Sequence, residues 1–410
     1  MTNYIILILC LIIIIAYIFD ITGRYTKIPG VCMLILLGIL VQLLVANTGF
    51  EIPNMKPLLP VVGTVGLVLI VLEASLDIRL HRNKTGLLIK SVLSAVLLFA
   101  FFVTILTAVL INIMGYSLVD SLLNAIPLGI ISSAVAISSS GHFDAEQKEF
   151  IIYESSFSDI IGILVFDFII INQFSIGRGL INFAFGGVLT IILSLILTAA
   201  LALLLHKVNY HINYVIIMTS VVLVYILAKL IHLPALFLVL VFGLALSNNH
   251  FLENTLIKDY IDFVKFRGDL ESFRKLLREL TFIVRSFFFL MFGYYTSVDG
   301  LLNLNNILVS FILTTGMLLI RWIFLRYIFK MPSLTLVFFA PRGLITILLF
   351  LSIPEVSKIP LINEGVVTLV ILMTIFFMIG SNILYRKKLE TPPVFEEVID
   401  LDTSKDHAQE

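Results

Sequence analysis

Residues 125–142 read Ala-Ile-Pro-Leu-Gly-Ile-Ile-Ser-Ser-Ala-Val-Ala-Ile-Ser-Ser-Ser-Gly-His, an apolar run long enough to span a bilayer but interrupted by one proline, two glycines and five serines. A helix broken in this way leaves backbone N–H and C=O groups without partners. In hydrocarbon that is tolerated only where the break is buried in protein or lines a cavity. A short polar link leads into a second apolar run, Glu154-Ser-Ser-Phe-Ser-Asp-Ile-Ile-Gly162, which carries two carboxylates. Acids at membrane depth are costly and mark ion or proton pathways. Broken backbone next to a buried acid therefore predicts an ion site near the bilayer midplane, and the rest of the chain has to build a scaffold around it.

Composition agrees with that demand. Hydrophobic residues make up 60% of the chain and charged residues 13%, against roughly 25% charged in soluble domains, so the chain is an all-α polytopic membrane protein. Net charge is zero and the 27 basic residues are scattered, which excludes a nucleic-acid surface. Cys10 and Cys32 both fall in apolar runs, so neither a disulfide framework nor a metal cluster is indicated. The first run, 4–19, lacks a basic n-region and a small-residue cleavage site, and reads as a retained helix.

At about 20 apolar residues per span, thirteen runs qualify: 4–19, 31–46, 58–76, 87–111, 122–140, 150–171, 180–205, 214–231, 233–246, 282–297, 307–329, 334–353 and 366–385. With the N-terminus outside, 18 Lys and Arg residues fall on inner links and span ends and four fall outside, namely Lys56, Arg178, Lys229 and Lys358. The positive-inside rule therefore predicts an external N-terminus and a cytoplasmic C-terminus in an inner (plasma) membrane. Residues 257–280 keep Phe266, Leu270, Phe273, Leu277 and Leu280 at three- and four-residue spacing, the pattern of an amphipathic linker helix on the cytoplasmic surface. Residues 389–410 form an acidic tail of disordered composition. A second interrupted span, Ala340-Pro-Arg-Gly343 running on to Ile353-Pro354, sits as the middle member of 307–385, as the first break does in 87–171. Interrupted spans in matching positions of two halves point to an inverted repeat with crossed, broken helices and a binding site between them.

Asp159 is the leading candidate to carry an ion. On a helix through 150–171, Ser155, Ser158, Asp159 and Gly162 share one face. Proton and cation would compete for this one carboxylate, the minimal requirement for exchange. The alternative is a packing ion pair with Arg285, Arg321 or Arg342. Glu154 lies about 140° round the helix from Asp159, so it is assigned a structural pair with Arg342, whose fork can hold a carboxylate bidentately. Ser132 and Ser133 can offer oxygens to a hard cation, or can simply allow close helix approach. Glu73 at the end of the third span and Arg285 in the tenth are possible supporting residues.

These residues resemble the cation/proton antiporter superfamily, and within it the sodium/proton exchanger branch of bacterial and archaeal type. Glu154-Ser-Ser-Phe-Ser-Asp159 is similar to that branch's Glu-Ser-Leu-Leu-Asn-Asp signature, Ala340-Pro-Arg-Gly-Leu344 to its Arg-Gly segment, and Leu72-Glu-Ala-Ser-Leu-Asp-Ile-Arg79 to the acidic end of an early core helix. The resemblance runs from Ile28 to about Tyr385. It implies that residues 1–388 form a transmembrane antiporter domain, that Asp159 is the ion-binding carboxylate, that Glu154 and Arg342 pair between core helices, and that the protein is a homodimer whose core moves like an elevator. Two departures stand out. The branch's Thr-Asp-Pro is Ser132-Ser133-Ala134 here, and its Asn before the binding aspartate is Ser158. One carboxylate carrier implies one charge in for one out. The expectation is an electroneutral secondary transporter, not an enzyme and without a cofactor, exchanging H+ for Na+, with K+ or Li+ as alternatives. A cation channel or a transport-inactive sensor would share the same hydropathy.

Overall fold

The computed structural model describes residues 2–26, 28–48, 55, 57–77, 85–141, 143–171, 187–198, 213–231, 233–248, 263–331 and 334–390. Among them there is helix and no strand. In chain order the helices are α1 (Thr2–Thr26), α2 (Gly30–Thr48), α3 (Leu58–Asp77), α4 (Thr85–Asn112), α5 (Leu118–Gly129), α6 (Ser133–Ser139), α7 (Ala145–Ile171), α8 (Gly187–Thr198), α9 (Asn213–Leu230) and α10 (Ala235–Ser247). They continue with α11 (Phe263–Tyr295), the short α12 (Val298–Leu302), α13 (Leu304–Ile323), α14 (Leu334–Phe338), α15 (Leu344–Leu351) and α16 (Glu364–Glu390). Five stretches, Leu58–Leu76, Gly86–Asn112, Leu118–Ser139, Leu304–Ile328 and Glu364–Ser381, are long and apolar enough to cross a membrane by length and composition.

Both interrupted runs are broken in space. α5 ends at Gly129, Ile130 and Ser132 are extended, and α6 begins at Ser133. α14 ends at Phe338 and α15 starts at Leu344, so residues 339–343 are unwound. Each expected span is thus two half-helices in succession. The breaks touch: Ser132 N–H donates to the Pro341 carbonyl at 2.9 Å. Gly343 makes this crossing possible, since a Cβ there would lie 2.5 Å from Ser132 Oγ.

Two packing neighbourhoods flank the crossing. α4 packs on α5 and α7, while α13 and α14 pack on α16. On the other side α11 packs along α2 and α3, and α3 also packs on α10. The α2–α11 approach is glycine on glycine: a Cβ at Gly293 would overlap the Ile35 carbonyl, and one at Gly38 the backbone around Leu290 and Tyr294. Such backbone-to-backbone contact is how helices associate where lipid removes the hydrophobic driving force.

One expected element is longer in the structure. The stretch expected as a surface linker is, from Phe263 onward, the first half of α11, which runs without a break through the tenth apolar run to Tyr295. Its apolar stripe is covered by protein: Leu270, Phe273 and Leu277 are buried, and the Phe273 ring lies 6.2 Å from that of Tyr214 on α9. Arg274 is buried as well and donates from Nη2 to the Leu76 carbonyl at 2.7 Å and to Ser247 Oγ at 3.0 Å, tying α11 to the C-terminal ends of α3 and α10. Residues 257–262 of that expected helix, and 391–410 of the acidic tail, lie outside the described residues.

Candidate functional site

Unwinding two helices exposes polar backbone, and buried backbone groups must find partners. At the first break Ile131 N–H donates to Ser158 Oγ at 2.9 Å, Ser132 N–H to the Pro341 carbonyl, and Ser133 N–H to Asp159 Oδ2 at 3.2 Å. The Leu128 carbonyl, at the end of α5, accepts from Arg342 Nε at 2.7 Å. At the second break the Ala340 carbonyl accepts from Arg342 Nη1 at 2.9 Å, and Arg342 N–H donates to Thr374 Oγ1 of α16 at 3.0 Å. The Leu336 carbonyl, in the last turn of α14, accepts from Arg321 Nε at 2.9 Å. A guanidinium therefore sits at the C-terminal end of each leading half-helix, where the helix dipole favours a cation.

Asp159 faces this crossing from α7 and is 4% exposed. Its Oδ2 takes the N–H at the start of α6, while its Oδ1 is buried with no hydrogen-bond partner. No basic side chain pairs with it, so the packing-pair alternative for this acid fails among the described residues. Asp159 lines a small, partly open pocket walled by Ile70, Val71, Ala74 and Ser75 of α3, Ile163 of α7 and Leu240 of α10, with Ser156 beside it. No group of three or more His, Cys, Asp or Glu side chains able to hold a metal ion occurs among the described residues. A lone carboxylate with a free oxygen in a mainly aliphatic chamber can take a proton or one monovalent ion, and has no second acid to take both.

Glu154 is in place, but its partner is not the expected one. Its carboxylate is gripped by Arg321 of α13, Nη1 to Oε1 at 2.8 Å and Nη2 to Oε2 at 2.6 Å, with Ser94 Oγ of α4 donating to Oε1 at 2.6 Å. Arg342 is committed elsewhere because the unwound carbonyls of Leu128 and Ala340 claim its fork. The pair Glu154–Arg321 is fully buried and bidentate, the geometry that guanidinium and carboxylate planes favour. Arg321 is visible in the sequence as an intramembrane arginine; Ser94 carries no signal there that would single it out.

The remaining expected residues divide by role. Ser158 accepts from the broken backbone, and Ser155 donates to the Ile151 carbonyl of its own helix at 2.7 Å, so both hydroxyls are in use. Ser132 and Ser133 are buried at the crossing and meet it through their main-chain N–H groups, and the Ser133 side chain also hydrogen-bonds the Asp159 carboxyl. Glu73 on α3 and Arg285 on α11 are half-buried. A second small pocket is lined by Arg321, Arg342, Ser158 and Thr374 together with apolar side chains of α4 and α13.

Within this core two guanidiniums, Arg321 and Arg342, stand with two carboxyl groups, Glu154 and Asp159.

Comparison with known proteins leads the same way. Two solved structures superpose over nearly the whole chain. The structure of the sodium proton antiporter MjNhaP1 from Methanocaldococcus jannaschii at pH 8 has a TM-score of 0.67 at 20% identity, covering 93% of this chain and 98% of that one. An electron-microscopy structure of the same antiporter has a TM-score of 0.65 at 17% identity, covering 95% and 96%. These share the fold. No curated protein sequence matches the chain. The transmembrane model of the sodium/hydrogen exchanger family matches residues 8–384, most of the chain, which therefore belongs to that family.

Proposed function

We propose that this chain exchanges protons for a monovalent cation, sodium first among them, with Asp159 alternately protonated and cation-bound and the exchange electroneutral. The observation that carries this is Asp159 itself: buried beside two unwound helices, unpaired with any base, and with Oδ1 unsatisfied. Family membership and the antiporter fold support the same reading. Burial in an aliphatic chamber makes an empty, ionised Asp159 costly, so the carrier crosses loaded with one ion or the other. That is the condition for obligatory exchange.

The remaining parts of the reading follow from sequence. The N-terminus is outside and the C-terminus cytoplasmic on the charge asymmetry of the links, in an inner (plasma) membrane. Residues 87–171 and 307–385, each holding one broken helix, form related halves of the moving core, and other spans supply scaffold and a homodimer contact. Glu154, Arg321 and Arg342 hold the crossing rigid; they are not cation ligands.

The test is an imposed pH gradient across proteoliposomes, challenged in turn with sodium, lithium and potassium. Wild type should collapse the gradient with at least one of these cations, and Asp159→Asn should abolish that response while the purified protein remains monodisperse. An Asp159→Asn variant that exchanges like wild type removes Asp159 as carrier.

A further inference from the structure

Exchange through Asp159 gives the transported cation one carboxylate; of the α7 serines near it, Ser155 donates to the Ile151 carbonyl and Ser158 accepts from Ile131 N–H, while Ser156 makes no hydrogen bond. We propose that Ser156 is a hydroxyl ligand of that cation, an inference that rests on the exchange reading with Asp159 as carrier.

Ser156 precedes Asp159 by three residues on α7, so the two side chains are neighbours on the helix surface. Both line the same pocket. Ser156 is 1% exposed and its Oγ makes no hydrogen bond, which is also the condition of Asp159 Oδ1. Two buried residues, each with an unsatisfied oxygen, therefore line one pocket whose other walls are almost wholly apolar. A buried hydroxyl without a partner is destabilising, and a leucine, which the exchanger signature carries at this place, would fill the space without that cost. Hard cations are served by oxygen ligands. Ser75 of α3 lines the same pocket and donates its Oγ proton to the Leu72 carbonyl at 2.8 Å. In a site with a single acid, neutral oxygens of this kind decide how much of the hydration shell is replaced and so which cation is preferred.

The experiment measures apparent KM and maximal rate for sodium, lithium and potassium in proteoliposomes containing wild type, Ser156→Ala, Ser156→Thr or Asp159→Asn. Loss of one ligand should raise KM for the preferred cation about tenfold. The ratios among the three cations should change with it, and the maximal rate should stay within about twofold. Ser156→Thr, which keeps the hydroxyl, should restore both KM and ratios. A packing role would alter stability or overall rate but leave the cation ratios alone, so Ser156→Ala with wild-type KM and wild-type ratios overturns the proposal. If Ser156→Ala does not fold, Ser156→Cys keeps the volume while replacing oxygen by a poor partner for hard cations, and the same KM rise is expected; its absence overturns the proposal equally. The underlying reading fails separately, when wild type exchanges no cation or Asp159→Asn still exchanges. Exchange lost in Asp159→Asn but unaltered in Ser156→Ala defeats the Ser156 assignment alone.

Discussion

Glu154 and Arg321 hold each other with two hydrogen bonds in a site from which both are almost fully withdrawn from solvent. Removing one partner strands the other charge, at a cost of about 3–5 kcal/mol. Glu154→Gln should therefore lower the melting temperature and yield of folded protein while leaving cation ratios unchanged, and size-exclusion chromatography with thermal unfolding reads this directly. A double-mutant cycle should give strong coupling between Glu154 and Arg321 and much weaker coupling between Glu154 and Arg342. The reverse ranking would return the pair to Arg342. The sequence points to Arg342 because an arginine in one broken helix and an acid next to the other make a natural pair on paper. What letters cannot show is that unwinding creates carbonyl acceptors, and that those of Leu128 and Ala340 take Arg342 first. Asp159, by contrast, is legible, because its value lies in what it lacks: an acid in an apolar run with no basic residue on its own face. The single-carrier role proposed for Asp159 carries a pH dependence with it. Since H+ competes with the cation for one carboxylate, lowering the pH on the uptake side should raise the apparent KM for cation without changing maximal rate, approaching about tenfold per pH unit once the proton form dominates. A fall in maximal rate at constant KM would indicate a separate titrating group.

At the scale of elements, the interrupted helices are readable because proline, glycine and serine clustered inside an apolar run weaken the very helix that its hydropathy demands; the second break falls at 339–343 as expected, while the first falls at 130–132, ahead of the serine-rich 133–139, which is helix. The charged stretch before the tenth run is harder. Its three- and four-residue spacing correctly gives a helix with one apolar face, but periodicity cannot say whether lipid headgroups or protein cover that face. Here protein does, since Phe273 meets Tyr214 and Arg274 reaches the ends of α3 and α10. The tightest joint on that helix is its crossing with α2, where Gly38 and Gly293 bring two backbones together. Gly293→Val should force α2 and α11 apart and cost about 1–3 kcal/mol or more, as overpacking does, seen as a lower melting temperature. The same substitution at Gly268, where a Cβ meets nothing within 4 Å, should be nearly silent.

For the whole molecule, the single carrier proposed at Asp159 makes the loaded core equally charged with either ion. Exchange should then be silent to voltage: an imposed potassium diffusion potential in liposomes should leave the sodium-driven rate unchanged, and a planar bilayer should show no current. A rate that follows the potential would require another carried charge, and steady current would favour a channel. Large-scale architecture is accessible from hydropathy alone, because each span is written in about twenty letters. The joining of distant parts is not, since Ser132 to Pro341 and Glu154 to Arg321 are separated by well over a hundred residues. Finally, α11 is 33 residues long, about 50 Å at 1.5 Å per residue, against a hydrocarbon layer of about 30 Å. A strut of that length must stand proud of the membrane by several turns. An antibody fragment raised against its exposed flank would give electron microscopy a rigid landmark.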